Sequence, residues 1–175
     1  MGRLPDRKQL ASIVSEVTRV MCDTVFVAGD PLERGESLCR RLVMISMQGD
    51  PSIIVVLAVD DDGAHALASS FFSCAPRDVT KSMIDDVIAE LLNMVAGHIS
   101  NALPHRCTLG LPRWITLDDL GRKNLDFDDA ILFRSEGRID LGLWLLEEKP
   151  TWVEPPAHRS HRAHRAQRAH RSHRH

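Results

Sequence analysis

The chain of 175 residues has the composition of one globular domain with its own core, since 43% of its residues are hydrophobic and 26% are charged. No stretch approaches the roughly 18 to 20 apolar residues that a membrane span needs, and the N-terminus lacks the apolar run of a secretory signal. The cysteines lie far apart without a Cys-x-x-Cys pair, which argues against a zinc site or a disulfide framework. We therefore expect a cytoplasmic protein with reduced thiols at Cys22, Cys39, Cys74 and Cys107.

The net charge of −2 conceals a basic segment at the C-terminus. Residues 157–175 hold six arginines, six of the nine histidines and no acidic residue, in a His-Arg-Ala/Ser pattern of period three. Residues 1–156 therefore carry a formal charge of −8. We predict one domain over 1–156 and a disordered low-complexity tail over 157–175. Arginine attracts phosphates and histidine binds Zn²⁺ or Ni²⁺, so contact of the tail with nucleic acid or metal stays an alternative.

The N-terminal half predicts a helix followed by a hairpin and a second helix. Apolar residues recur at helical spacing over 7–24. Residues 41–59 read as two strands around a Gly-Asp-Pro turn. Residues 60–72 begin with three aspartates, which favour the positive end of a helix dipole, and we predict a helix there.

The C-terminal half predicts a long helix, a short strand and a final hairpin. Asp78 or Thr80 can cap a helix that runs to about residue 102. Residues 103–117 indicate a short strand interrupted by prolines, and residues 116–130 predict a charged connection. Residues 131–148 predict a hairpin that turns at 136–137.

Strands in this order occur in adjacent pairs and do not alternate with helices. This arrangement predicts the α+β class, with an antiparallel sheet of about five to six strands and helices packed on one face.

One side of the long helix carries a line of polar residues, Asp86, Glu90 and Asn93, with Gly97 one turn further on. Successive residues turn by ~100° around a helix axis, which places these four within a stripe roughly 60° wide and opposite the apolar face. An amide can orient a water through its oxygen and nitrogen, and a carboxylate can pair with a partner's lysine or arginine. The stripe is either an ordinary solvated face or a docking surface. Because no nucleophile accompanies it, Glu90 and Asn93 alone are insufficient for catalysis.

Other polar groups have structural explanations. His65 and His98 lie within helices without paired metal-ligand spacing. No EF-hand pattern surrounds the aspartates at 60–62, and a helix start explains them better. A cation site is the minority alternative to a solvated loop for the acidic residues Asp118, Asp119, Asp126, Asp128 and Asp129. We predict no metal site and no cofactor of the protein's own.

The long helix and its surroundings resemble the CheC/CheX/FliY family of chemotaxis phosphatases. The family's signature places an acidic residue or serine, then Glu, then Asn at the spacing of Asp86, Glu90 and Asn93, with a later proline that Pro112 would match after a slightly short gap. The hairpin and helix before the signature also fit, so that the resemblance covers roughly residues 8–148. In architecture the chain most resembles CheX, and the resemblance also implies a homodimer.

The resemblance implies a phosphatase that removes phosphate from the aspartate of a CheY-like response regulator, which itself holds Mg²⁺. Asn93 would orient the water, Glu90 would pair with a lysine of the regulator, and Asp86 would assist at the edge. Gly97 would allow close approach, although a packing role is also possible. A non-catalytic CheX-like binding or dimerisation module is the alternative function.

The first helix bears the family signature in a changed form. Members with two active sites carry it there as well, but here Ser12 and Glu16 are followed by Arg19 where asparagine would be needed. Arginine offers no hydrogen-bond acceptor and cannot position a water as an amide does. Only the site on the long helix should therefore be active.

Overall fold

The computed structural model describes residues 4–29, 41–122, 130–136 and 139–148. Within these ranges the helices are α1 Arg7–Cys22, α2 Asp61–Phe71, α3 Lys81–Ala102 and α4 Leu117–Arg122. The strands are β1 Phe26–Ala28, β2 Arg41–Gln48, β3 Ser52–Val59, β4 Thr108–Leu109, β5 Arg113–Ile115, β6 Ile131–Ser135 and β7 Asp140–Glu148. The tail and the predicted boundary at 156/157 lie outside the described residues. No helix in the described ranges is long and apolar enough to cross a membrane.

All described strand pairs are antiparallel and form one sheet in the order β1-β6-β7-β3-β2-β4, with β5 also paired to β2. The predicted α+β class and both predicted hairpins are confirmed. The sheet has seven strands because β1 is added and the single strand predicted over 103–117 is divided in two. The division falls at residues 110–112, where the N–H of Gly110 still reaches the carbonyl of Ser46 but Pro112 has no N–H to donate.

Strands β2 and β3 are buried on both faces of the sheet. On the helix side, residues such as Val43, Val55 and Leu57 pack against α1, α2 and α3. On the opposite side, Leu42, Met44, Ile54 and Val56 form a second cluster with Trp144 and with Leu120 of α4. The three helices that the sequence predicts thus share one face, and a fourth short helix adds cover to the other. That fourth helix occupies part of the predicted charged connection, whose residues Asp126, Asp128 and Asp129 lie outside the described ranges.

Side-chain caps explain where the predicted helices begin. Asp6 and Gln9 form a capping box at α1, and the carboxylate of Asp60 accepts a hydrogen bond from the backbone of Gly63 at α2. Thr80 caps α3, whereas Asp78 belongs to a single 3-10 turn, Pro76–Asp78. The cap of the long helix is therefore the second of the two predicted candidates.

The topology repeats itself around the middle of the sheet. Residues 4–59 supply α1 and then β1, β2 and β3, while residues 80–148 supply α3 and then the edge strands β4 and β5 followed by β6 and β7. Strands β3 and β7 pair at the centre and are flanked by β2 and β6. At the edges, β1 of the first half pairs with β6 of the second half, and β4 of the second half pairs with β2 of the first half. This order reads the same from either edge, so the two halves are related by an approximate two-fold axis.

Candidate functional site

Helix α3 presents one face to the core and another to solvent. Nine of its residues are buried against the sheet and the neighbouring helices: Ile84, Val87, Ile88, Leu91, Leu92, Val95, Ala96, Ile99 and Ser100. The helix packs against α1, α2 and the strands β2 and β3. Because its cap and its apolar face are both fixed by these contacts, the side chains on the outer face stand on a rigid support.

The outer face carries the four residues that the sequence singled out, and we call Asp86, Glu90, Asn93 and Gly97 the α3 stripe. Asp86 and Glu90 are exposed, and Asn93 and Gly97 are half-exposed. About one helical turn separates each from the next, so all four lie on the same side of α3. The structure therefore brings these residues together, while their roles remain predictions.

The polar groups of the α3 stripe have no partners within the described part of the chain. Asp86, Glu90 and Asn93 make neither a hydrogen bond nor an ion pair there, although the adjacent Asp85 makes both with Arg41 and Lys81. An ordinary surface carboxylate on a helix often pairs with a neighbour three or four residues away. Within the described ranges, the carboxylates and the amide of the stripe are therefore available to bind a group from another molecule.

Gly97 has no side chain, so nothing projects from α3 at the C-terminal end of the stripe. A Cβ atom added at this position would meet no heavy atom within 4 Å. Packing inside the protein therefore does not require glycine here, in contrast with Gly63 of α2, where a Cβ would lie 2.6 Å from Asp60 Oδ1. The open space above Gly97 is available to the surface of a partner.

A charged cavity of about 310 Å³ lies at the start of α3, away from the stripe. Arg41 bridges Asp61, at 2.8 Å, and Asp85, at 3.2 Å, and the exposed Lys81 pairs with Asp85 at 2.7 Å. Trp114 completes the wall with a half-exposed ring. The sequence analysis did not find this network, because Arg41 is 44 residues from Asp85 and no local spacing connects them.

The described residues supply no metal-binding cluster beside the stripe. His65 and His98 are half-buried in α2 and α3, and no three His, Cys, Asp or Glu side chains in the described ranges are grouped to hold a metal ion. Pro112, the proline of the proposed signature, is half-buried in the loop between β4 and β5. The stripe itself offers a carboxylate pair for a cation and an amide that can both donate to and accept from one water.

The comparisons with known proteins identify the family. The family model described as chemotaxis phosphatase CheX matches residues 41–131, which is just over half of the chain and includes all of α3. No curated protein sequence matches the chain.

Solved structures share the fold at low sequence identity. CheX in the CheX-CheY-BeF3-Mg²⁺ complex from Borrelia burgdorferi has a TM-score of 0.61 and 19% identity, over 83% of this chain and 100% of that one. CheX from Desulfovibrio desulfuricans has a TM-score of 0.59 and 14% identity, over 81% and 97%. FliY from Thermotoga maritima has a TM-score of 0.54 and 10% identity, over 79% and 84%. Because the family model matches more than half of the chain, the chain belongs to the CheX family of chemotaxis phosphatases.

Proposed function

We propose that the protein hydrolyses the aspartyl phosphate of a CheY-like response regulator in the cytoplasm. The family to which it belongs is one of chemotaxis phosphatases, and the similar protein from Borrelia burgdorferi was crystallised with CheY, BeF3 and Mg²⁺. The observation that carries the proposal is the α3 stripe, a rigid and exposed line of carboxylates and an amide without partners in the described residues.

Asn93 is the residue that acts on the attacking water. Its side-chain oxygen accepts a hydrogen bond from the water while its nitrogen donates one to the phosphoryl region, which holds the water in line with the phosphorus. Asn93 is half-exposed and lies between two turns that are packed on the core, so its approach angle is set by α3 as a whole. Orientation of this kind lowers the barrier by replacing a freely diffusing water with one already in place.

Glu90 and Asp86 fix the pose of the regulator. Glu90 precedes Asn93 by one turn and pairs with a lysine that the regulator presents beside its phosphoryl group. Asp86, one turn earlier, extends the acidic edge along which the regulator approaches. Gly97 receives the regulator's backbone or side chains at the other end of the stripe, because no side chain of its own projects there.

The substrate brings the metal ion that this chemistry needs. Mg²⁺ on the regulator neutralises charge on the phosphoryl oxygens, as metal ions do in phosphoryl transfer generally. The residues of this chain contribute water orientation, docking and exclusion of solvent from the joint surface.

A panel of response regulators from the same cell, charged with a small phosphodonor in the presence of Mg²⁺, tests the proposal. The rate of phosphate loss is measured with no added protein, with the wild type, with Asn93→Ala and with Asn101→Ala. Asn101 is the matched control, since it is an exposed asparagine on α3 that lies ~80° around the helix from Asn93. We expect acceleration by the wild type and by Asn101→Ala, and a loss on the order of 100-fold for Asn93→Ala.

No acceleration of any regulator by the wild type would refute the phosphatase. If a regulator then still binds the stripe, the function is that of a non-catalytic module in a signalling assembly, which the short distance from the signature to Pro112 favours. Acceleration that survives Asn93→Ala would leave a phosphatase but would remove the water-orienting role from Asn93.

A further inference from the structure

Helix α1 repeats the construction of α3 with a constant difference of 74 in residue number. The N-caps are Asp6 and Thr80, and the capping boxes are completed by Gln9 and Met83. The same difference relates the buried positions of the two helices, which are Leu10 and Ile84, Val14 and Ile88, Val17 and Leu91, Thr18 and Leu92, and Cys22 and Ala96. The two-fold arrangement of the sheet therefore extends to the register of the helices packed on it.

This register relates a line of polar residues on α1 to the α3 stripe. Ser12, Glu16 and Arg19 correspond to Asp86, Glu90 and Asn93, and we call these three residues the α1 line. All three are exposed, and none makes a hydrogen bond or ion pair within the described ranges. Beside them Val20 is 65% exposed at the position that corresponds to Met94.

We propose that the α1 line is a second docking site for the phosphorylated regulator, one that binds the phosphoryl group without hydrolysing it. The proposal rests on the function proposed above for α3. Glu16 keeps the carboxylate that pairs with the regulator's lysine, and Arg19 stands where the water-orienting amide stands on α3. The protein thus combines one site that removes the phosphate with one that retains the phosphorylated partner.

The chemistry of Arg19 explains why the α1 line would bind the phosphoryl group and why it would not hydrolyse it. A guanidinium has five N–H donors and no acceptor, so it cannot orient a water for attack. Its planar fork binds phosphate oxygens with two parallel hydrogen bonds, which an amide cannot do. Its side chain also reaches further than that of asparagine and occupies the volume where the attacking water would lie.

Arg19 is followed along α1 by an exposed apolar residue, Val20. The backbone of α1 is held in place by its capping box and by packing on α3. The line is rigid in the same way as the α3 stripe, because both helices stand on the same core.

Binding stoichiometry with a regulator held in its active form by beryllofluoride and Mg²⁺ tests the α1 line. We expect two regulators per chain for the wild type, one for Glu90→Lys, and none for the double variant Glu90→Lys with Arg19→Glu. The matched control combines Glu90→Lys with Arg77→Glu, because the Arg77 side chain is 87% exposed and lies outside both lines. That control should still bind one regulator.

A gain of activity provides the second measurement. Introducing Arg19→Asn into Asn93→Ala should raise phosphate release by roughly tenfold or more over Asn93→Ala alone, because an amide is restored on α1.

The outcomes of these experiments separate the two sites. The α1 site would be overturned if the wild type binds only one regulator per chain and Glu90→Lys binds none. If the wild type still hydrolyses the regulator in that case, the function of α3 remains intact. Failure of the wild type to hydrolyse any regulator would refute the α3 function, and retention of an Arg19-dependent regulator would still support the α1 site. No recovery with Arg19→Asn would refute the role given to Arg19 in silencing that site.

Discussion

Asp85 and Asp86 are adjacent in the chain, yet their carboxylates have different environments. The carboxylate of Asp85 accepts hydrogen bonds from Arg41 at 3.2 Å and from Lys81 at 2.7 Å, whereas Asp86 is exposed and makes no such contact within the described ranges. The two side chains leave α3 about 100° apart, which is enough to place one in a structural network and the other on the docking surface. Their substitutions should therefore have separable effects.

We expect Asp85→Asn to lower the free energy of unfolding by about 0.5 to 1 kcal/mol, since its ion pairs are partly exposed. Asp86→Asn should change that free energy by less than about 0.5 kcal/mol but should raise the KM for the phosphorylated regulator several-fold. Urea unfolding and steady-state phosphate release measure the two effects. A larger loss of stability in Asp86→Asn than in Asp85→Asn would contradict the assignment.

Two glycines within helices should respond to alanine with opposite signs. Gly97→Ala should stabilise the protein by about 0.5 to 1 kcal/mol, because alanine favours the helix and the added Cβ meets nothing within 4 Å. Gly63→Ala should destabilise it by about 1 to 3 kcal/mol, because its Cβ would lie 2.6 Å from Asp60 Oδ1 and 2.7 Å from Ile139 Cγ2. Thermal or urea unfolding of the two variants measures the sign of each change in the free energy of unfolding. Stabilisation by Gly63→Ala would contradict the prediction and would mean that Asp60 and Ile139 move away from the added Cβ.

A long side chain at Gly97 should obstruct the regulator without harming the fold. We expect Gly97→Gln to raise the KM for the phosphorylated regulator by roughly tenfold while the free energy of unfolding stays equal or rises. Gly121→Gln in α4 is the control, since a Cβ there also meets nothing within 4 Å but lies outside the α3 stripe. Equal kinetics for the two variants would exclude Gly97 from the docking surface.

Cys22 should be the least reactive cysteine of those in the described ranges. Burial raises the pKa of its thiol from the ordinary value of 9.0 to about 11, whereas Cys74 and Cys107 are half-buried. The shift of the pKa alone reduces the thiolate fraction at pH 8 on the order of 100-fold. Mass spectrometry after alkylation with iodoacetamide should show Cys22 modified last in the native protein, and as fast as the others in guanidinium. Rapid native labelling of Cys22 would mean that the end of α1 opens.

The same pKa shift makes a contribution to stability that depends on pH. Above about pH 9 the unfolded chain releases the Cys22 proton before the folded chain does. The free energy of unfolding should therefore fall as pH rises from 9 towards 11, and Cys22→Ala should weaken that dependence. An unchanged slope in Cys22→Ala would assign the alkaline loss to other groups.

Periodicity explains which parts of this structure the sequence predicts. The outer face of α3 follows from a spacing of three and four residues, and the hairpin of β2 and β3 follows from an apolar run around a turn. Helix α1 ends at Cys22, where Asp23 adopts a left-handed conformation, close to the predicted residue 24. These features are local, so local patterns suffice for them.

The parts that the sequence does not reveal depend on contacts across the chain. β1 has three residues and is defined by its pairing with β6, more than a hundred residues away. α4 has one buried residue, Leu120, whose partners lie on β2, β3 and β7. The correspondence of α1 with α3 is indicated in the sequence by Ser12, Glu16 and Arg19, but its extension to the caps and the buried positions is visible only in the structure.

The exchange of edge strands between the two halves has a consequence for how the protein can vary. Each half contributes an edge strand to the part of the sheet formed by the other half. The sheet that supports α1 and α3 therefore needs both halves, and we expect the two helices to fold and unfold as one cooperative unit. The polar residues of the α3 stripe and the α1 line, by contrast, make no hydrogen bond or ion pair within the described ranges. The α3 stripe and the α1 line thus depend on the same folded core for their stability. The chemistry of either one can nevertheless change by a single substitution.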